Sequence, residues 1–359
     1  MAILSYETLR ALPKVLLHDH LDGGVRPQTL IELADETGYT ELPTKDPDAL
    51  RQWFARGADR GSLPLYLEGF RHTTALMQSP EALERVAYEM LEDMASDGVV
   101  YVETRFAPVF HTGSGLNLEE VVTAVLRGLT RGRQDFGVEF GLILCAMRHL
   151  TDSLETAELA IDFANRGVVG LDLAGEEAGH PPKRHLDAFH AIQRANFNIT
   201  IHAGEAFGIE SIWQAVQYCG AHRLGHATRL IEDMTVVDGK AIKLGPLAQY
   251  VLDKRIPLEM CLSSNVHTGA VPSLDQHPFR IYCDRNYRVT LNTDNRLMSD
   301  TTLTREYQIA VEKFGVNLNQ LEKITTNGMK SAFAHFDDRI RLIFGIIKPG
   351  FARVVESLS

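Results

Sequence analysis

Eight short apolar runs, each followed by a segment with helical periodicity, set the narrowest limit on what this chain of 359 residues can fold into. The runs are Val15–Leu21, Val99–Ala107, Val138–Met147, Val168–Leu173, Ile199–Ala203, Leu224–Thr228, Leu258–Ser263 and Val289–Thr293. Most are apolar almost throughout, as strands covered on both faces of a parallel sheet should be. The intervening segments, among them Glu119–Arg131, Leu154–Asn165, Leu186–Asn196 and Ile209–Cys219, read as amphipathic helices. Strand alternating with helix eight times predicts an α/β fold of the closed (β/α)8 TIM-barrel type. The structural alternative is an open doubly wound sheet. Such a sheet normally carries a glycine-rich phosphate loop after its first strand, and Asp22-Gly23-Gly24 does not match one.

The connection after the first strand is long, from about Arg26 to Gly98. It predicts inserted helices, with Trp53, Phe54, Leu63, Leu65, Tyr66, Leu67 and Phe70 either forming a lid or pocket wall or packing those helices onto the barrel. The tail from about Asn317 reads as further terminal helices. No internal repeat, low-complexity tract or linker divides the chain, so one domain over residues 1–359 is expected.

Charge narrows the partners. Lys+Arg 36 against Asp+Glu 47 gives a net charge of -11, which argues against non-specific binding to nucleic acid or anionic membrane. The four cysteines, Cys145, Cys219, Cys261 and Cys283, are far apart and form no Cys-x-x-Cys. Reduced thiols in a cytoplasmic protein are therefore expected. Glu7 and Arg10 interrupt the apolar N-terminal residues and spoil a signal-peptide core. No run is long and apolar enough to span a membrane.

Polar clusters sit where the apolar runs end. The first run leads into His18-Asp19-His20-Leu21-Asp22. In an extended strand, side chains at i and i+2 share one face. His18 and His20 thus point the same way, and neutral imidazoles are ordinary zinc ligands. Alone, this His-x-His is weak evidence. After the fifth run comes His202-Ala203-Gly204-Glu205, after the sixth Gly225-His226-Ala227, and after the eighth Thr293-Asp294-Asn295. All fall at the C-terminal rim, where barrel active sites lie. His18, His20, His202 and Asp294 can converge there on one metal, with zinc favoured over iron, manganese or cobalt. Glu205 and His226 would flank a water and its target as acid/base groups. Singly, Glu205 reads equally as a rim ion pair and His226 as a core histidine; four such clusters at four strand ends favour a shared site.

In combination these motifs resemble the adenosine deaminases of the metal-dependent amidohydrolase superfamily. The resemblance runs from the His-x-His to beyond Thr293-Asp294. It includes Leu173-Ala174-Gly175-Glu176, Ser263-Ser264-Asn265-Val266 and His277-Pro278. It implies one zinc per chain held by His18, His20, His202 and Asp294. It implies that Glu205 protonates the purine N1, while His226 and Asp294 activate and orient the attacking water. His20 and Asp22 would contact the ribose, and the Gly175 backbone N–H the purine N3. The His-x-Glu and Pro-Cys-x-x-Cys signature of the cytidine-type deaminases is absent. The implied reaction is hydrolysis of adenosine, 2′-deoxyadenosine or a related adenine nucleoside to the 6-oxo purine and ammonia.

The chain departs from the family pattern at three positions. Asn295 stands where Asp is usual, Ala227 where Gly is usual, and Leu262 where Pro is usual. By resemblance Asn295 faces the purine N7. The departures keep 6-aminodeoxyfutalosine open as an alternative substrate, whereas Asp22 at the ribose end would repel the 5′-phosphate of AMP. Many ester or amide hydrolases of the same superfamily bridge two metals with a modified lysine at a mid-barrel strand end, and the fourth run ends in Leu-Ala-Gly-Glu with no lysine there. A catalytically inactive binding barrel is the remaining reading, and the intact Glu205 and His226 argue against it.

Overall fold

A computed structural model describes residues 4–358. Its eight barrel strands are Lys14–His20, Val99–Phe106, Glu139–Met147, Val168–Ala174, Thr200–Ala203, Arg223–His226, Leu258–Met260 and Val289–Leu291. They lie parallel in two four-stranded arcs, strands one to four and five to eight. Two single bridges close the arcs into a barrel, Leu171 with Ile199 and Asp19 with Asp294. The second closure is made by His20 N–H donating to the Asp294 carbonyl (2.7 Å) and Asp294 N–H donating to the His18 carbonyl (2.9 Å). The seam that shuts the barrel is therefore built from the backbones of three residues whose side chains the sequence assigns to a metal.

The strand interiors are buried as their composition requires. Leu16, Leu17, Val102, Leu142, Leu144, Leu171, Ile201 and Leu258 are wholly inaccessible to solvent. The helix Leu118–Phe136 starts at a capping box in which Asn117 and Glu120 satisfy each other's backbone N–H. It runs further than the expected Glu119–Arg131 because its apolar stripe continues to Gly137, whose left-handed backbone ends it. The long first connection folds into five helices, Pro27–Thr37, Pro47–Ala58, Leu63–Leu67, Phe70–Leu76 and Pro80–Ser96. The tail forms the helices Leu318–Ser331, Phe336–Leu342 and Lys348–Leu358. No helix among the described residues is long and apolar enough to cross a membrane.

Three strands stop two or three residues short of the ends of their apolar runs, each for a local reason. The sixth ends at His226 because His226 and Ala227 take left-handed backbone, φ 63° and 54°. That conformation gives a physical reason for the glycine that the resemblance leads one to expect at the Ala227 position, since only glycine enters it without steric cost. The seventh ends at Met260, and Leu262 opens the helix Leu262–His267. The first helical position is where proline is also comfortable, so Leu262 in place of Pro leaves the helix start intact. The eighth ends at Leu291 because Asp294 is again left-handed, φ 60°. A two-stranded hairpin, Met234–Val237 with Lys240–Leu244, follows the sixth strand. Its residues are mostly exposed, and its turn is Asp238-Gly239, both in left-handed backbone, φ 50° and 72°.

Candidate active site

His18, His20, His202 and Asp294 converge at the C-terminal mouth of the barrel, each offering a ligand atom within 4.8 Å of the others. His20 Nε2 lies 3.2 Å from His202 Nε2. Asp294 Oδ1 lies 3.2 Å from His18 Nε2 and 3.4 Å from His20 Nε2. A tetrahedral cation with bonds of 2.0–2.1 Å separates its ligands by about 3.3 Å, so these edges have the size of a metal-ion polyhedron.

Hydrogen bonds behind the ring decide which atoms face the centre. His18 Nδ1 lies 2.8 Å from Glu259 Oε2, and an ionised carboxylate can only accept. The proton is therefore on Nδ1, and the Nε2 lone pair points at Asp294. His202 Nδ1 likewise donates to Asp172, 3.0 Å away at Oδ2, leaving its Nε2 lone pair toward His20. Two imidazole lone pairs and a carboxylate oxygen facing one another repel unless a cation sits among them, and His18 Nε2 has no hydrogen-bond partner. The donor set thus fits a metal ion. Carboxylates behind metal-binding histidines in this way fix tautomer and ring orientation.

Those carboxylates are themselves held by arginines. Arg105 reaches Asp172 at 3.2 Å and Glu259 at 3.1 Å, and donates to the Leu17 carbonyl at 2.5 Å. Arg223 lies 2.6 Å from both Glu259 and Glu103. Burial alone would raise the Glu259 carboxyl, but the Arg105 and Arg223 guanidinia hold it below the usual range. Sequence reasoning singled out none of these five residues. Their signal is a charged residue inside an otherwise apolar, doubly covered strand, where it needs a buried partner.

On the other side of the cluster stand Glu205 and His226, with Glu205 Oε2 3.6 Å from His226 Nε2. Burial, together with the charges of Asp294 and Glu177, pushes the Glu205 carboxyl up to about 8. Burial pushes His226 well below its ordinary range, so the ring is neutral. Its tautomer follows from a chain of donors. Phe279 N–H donates to His277 Nδ1 (3.1 Å), which leaves the His277 proton on Nε2. That proton goes to Asn265 Oδ1 (3.1 Å), and the Asn265 amide then donates to His226 Nδ1 (2.9 Å). His226 consequently carries its proton on Nε2, facing Glu205 and the cluster. The Ser-Ser-Asn-Val and His-Pro motifs find their physical sense here, for Ser264 also donates to Asp294 Oδ2 at 2.5 Å.

A cavity of about 310 Å³ opens over the cluster. Asp22, Gly175 and Asn295 all line it, as do Glu205 and His226. Asp22 Oδ1, Glu205 Oε1 and Asn295 Oδ1 are buried without a hydrogen-bond partner, which marks the cavity wall as polar at chosen points. Asn295 fits against the backbone of Gly23, where an added Cβ would stand 2.0 Å from Asn295 Oδ1. The inserted helices supply the apolar wall through Leu63, Tyr66, Leu67 and Phe70. Trp53 and Phe54 instead pack edge-on against the buried His72 and serve the insertion's own packing.

The family model for adenosine deaminase matches residues 13–349 of the chain. Adenosine deaminase 1 of Streptomyces coelicolor is 54% identical over 355 residues, covering 98% of this chain and 90% of its own. Adenosine deaminase of Mycobacterium leprae is 52% identical over 357 residues, covering 98% and 99%. Among solved structures, a zinc-bound amidohydrolase from Burkholderia ambifaria is similar at a TM-score of 0.84 and 23% identity, over 100% of this chain and 95% of that one. At that identity the likeness is one of fold.

The carboxylate behind His18 gives a direct test of the metal-ion fit. Glu259→Gln keeps the size of the side chain but removes the charge that holds the His18 tautomer and pairs with two arginines. Metal affinity is expected to fall about 10- to 100-fold, read as metal retained on dialysis against graded chelator. Unchanged retention would contradict the fit.

Proposed function

The chain belongs to the adenosine deaminase family, and we propose that it hydrolyses adenosine and 2′-deoxyadenosine to the 6-oxo purine and ammonia, the whole chain acting as one barrel domain. The observation that carries this reading is the pairing of a buried carboxyl, raised to about 8, with a metal-ion ligand set across one cavity. Adenine C6 is a poor electrophile because its ring is electron-rich. Attack there needs a proton on N1 from one side and an activated water on the other.

The residues divide that work. His18, His20, His202 and Asp294 would hold one zinc ion. Zinc held there would supply Lewis-acid chemistry, lowering the pKa of a water from 15.7 toward about 7. Glu205, protonated at neutral pH, donates to N1 and makes C6 attackable. His226, with its proton held on Nε2 by Asn265, orients the incoming water by donating to its oxygen. This narrows the acid/base role expected for His226 to that of a donor, and Asp294 supplies the acceptor. Water oxygen adds to C6 as one of its protons passes to Asp294. The C6–N6 bond breaks as that proton is delivered to the leaving nitrogen, which departs as ammonia, and the remaining hydroxyl proton returns to Glu205, leaving C6=O and N1–H. Asp22 and His20 lie at the ribose end, and the Gly175 N–H serves N3. An Asp22 carboxylate there disfavours a 5′-phosphate, and the half-identical relatives named adenosine deaminases do not favour 6-aminodeoxyfutalosine.

An ammonia-release assay tests this reading. Adenosine is expected to give the highest kcat/KM in a set with AMP and 6-aminodeoxyfutalosine. Activity should fall as pH rises through about 8, because the donor form of Glu205 is lost there. Glu205→Gln should keep the fold and metal and lose about 10²–10⁴-fold in kcat. A near wild-type rate in that variant would remove Glu205 from the role.

Asn295 generates a second test. A purine N7 accepts a hydrogen bond, and an Asn amide donates in its ordinary state, whereas a carboxyl must first be protonated. We infer that Asn295 donates to N7. Replacing adenosine with 7-deazaadenosine should then cost the wild type about 1–3 kcal/mol in kcat/KM. Asn295→Ala should be slower on adenosine and much less sensitive to the exchange. Equal discrimination by both proteins would contradict the assignment.

A further inference from the structure

The turn that carries both a metal-site histidine and Glu205 is gripped by a carboxylate that belongs to neither role. Glu177 Oε1 accepts the Gly204 N–H at 2.7 Å. Its Oε2 accepts the N–H groups of Glu205, Ala206 and Phe207 at 3.0, 2.7 and 2.9 Å. Four consecutive backbone donors thus converge on one carboxylate that is 3% exposed. Consecutive N–H groups turned inward in this way form an anion-binding nest, and here the anion is a side chain of the same protein. Such charge-assisted bonds are roughly twice as strong as neutral ones.

The turn needs this grip because its backbone is not regular. The fifth strand ends at Ala203, and Gly204 takes a left-handed φ of 75°. No helix begins until Ile209, so the N–H groups of 204–207 have no ladder to join. The other end of the turn is held separately. The buried Arg148 guanidinium donates to the His202 carbonyl and, at 2.7 Å, to that of His180. One cation thus holds the carbonyl of the metal-site residue, and one anion holds the amides around the proton donor.

We propose that Glu177 is a positioning residue for the deamination: it sets the place of the Glu205 carboxyl relative to the purine N1 without touching substrate. Glu177 is not part of the cavity wall that Glu205, His226 and Asn295 form. Its effect must therefore pass through the backbone of 204–207. A misplacement of about 1 Å at a reacting group can cost 10²-fold in rate. The inference rests on the reading of Glu205 as the proton donor.

The test is a double-mutant cycle on the metal-loaded protein, with Glu177→Gln, Glu205→Gln and the pair. A glutamine at 177 presents one acceptor oxygen to the triple contact and an NH2 group that opposes the Gly204 N–H. Glu177→Gln is expected to lose about 10- to 100-fold in kcat, with KM and bound metal unchanged, since Arg148 still holds His202. Added to Glu205→Gln, it should cost nothing further, because the group it positions is already gone. Glu177→Asp keeps both oxygens on a shorter arm and should fall between wild type and Glu177→Gln, which keeps the inference open to test if the glutamine variant does not fold.

Several results would overturn it. One is a wild-type kcat in Glu177→Gln or, where that variant does not fold, in Glu177→Asp. Another is a loss that multiplies with that of Glu205→Gln, and a third is a loss matched by metal release. If Glu205→Gln itself keeps wild-type kcat, the reading of Glu205 fails and takes the inference with it. If Glu205→Gln is slow while Glu177→Gln is not, only the inference fails.

Discussion

Everything at the barrel mouth depends on a set of charges buried beneath it. Arg105 and Arg223 are enclosed with Asp172, Glu259 and Glu103, and Asp294 caps the set through His18. Taking such groups out of water is expensive, and an unmatched charge here would be strongly destabilising. Two guanidinia face four carboxylates, so the connected set carries two surplus negative charges, the charge of one divalent cation. The same carboxylates that create the surplus hold the His18 and His202 protons on Nδ1. Charge, tautomer and ligand geometry are thus three consequences of one buried network. A neutral or cationic substitution in the network would disturb all three together.

The barrel closure ties this network to the reaction. The backbone hydrogen bonds between strands one and eight place His18, His20 and Asp294 in one ring before any side chain is considered. Beyond the strand ends the chain turns through left-handed residues at Gly175, Gly204, His226, Ala227 and Asp294. The two glycines enter this backbone freely, whereas for His226, Ala227 and Asp294 it is sparsely populated and persists where surrounding contacts hold it. Asn265 holds His226 and Ser264 holds Asp294, while Glu177 holds the amides from Gly204 onward. The rim is irregular because each polar side chain must leave its strand at an angle that points it into a shared cavity.

Much of this was legible in the residues alone. The strands could be read because parallel strands covered on both faces are apolar, and the convergence of His18, His20, His202 and Asp294 because polar residues abruptly end those runs. The seventh strand's early end was less legible, since Cys261 and Leu262 are apolar and extend the run past Met260 into what is a helix. The hairpin at Met234–Leu244 does carry a local signal, Asp238-Gly239 between two β-rich runs, but its strands lie outside the barrel and lack the buried faces by which the other strands were read. Glu177 followed a motif that drew attention to Gly175 and Glu176, yet only the fold brings its carboxylate under residues 204–207. Arg105, Asp172 and Glu259 were visible as charges inside apolar strands, but their pairing is a property of the barrel interior. Proximity in space decided these roles, and spacing along the chain did not encode it.

The central claim is that the buried charge surplus and the ligand ring describe one divalent site on which the chemistry depends. Titrating chelator-stripped protein with zinc while following ammonia release from adenosine tests it most directly. The account predicts negligible activity without metal and a linear rise that breaks at one equivalent per chain. Full activity in the stripped protein, or a break at two equivalents, would contradict it.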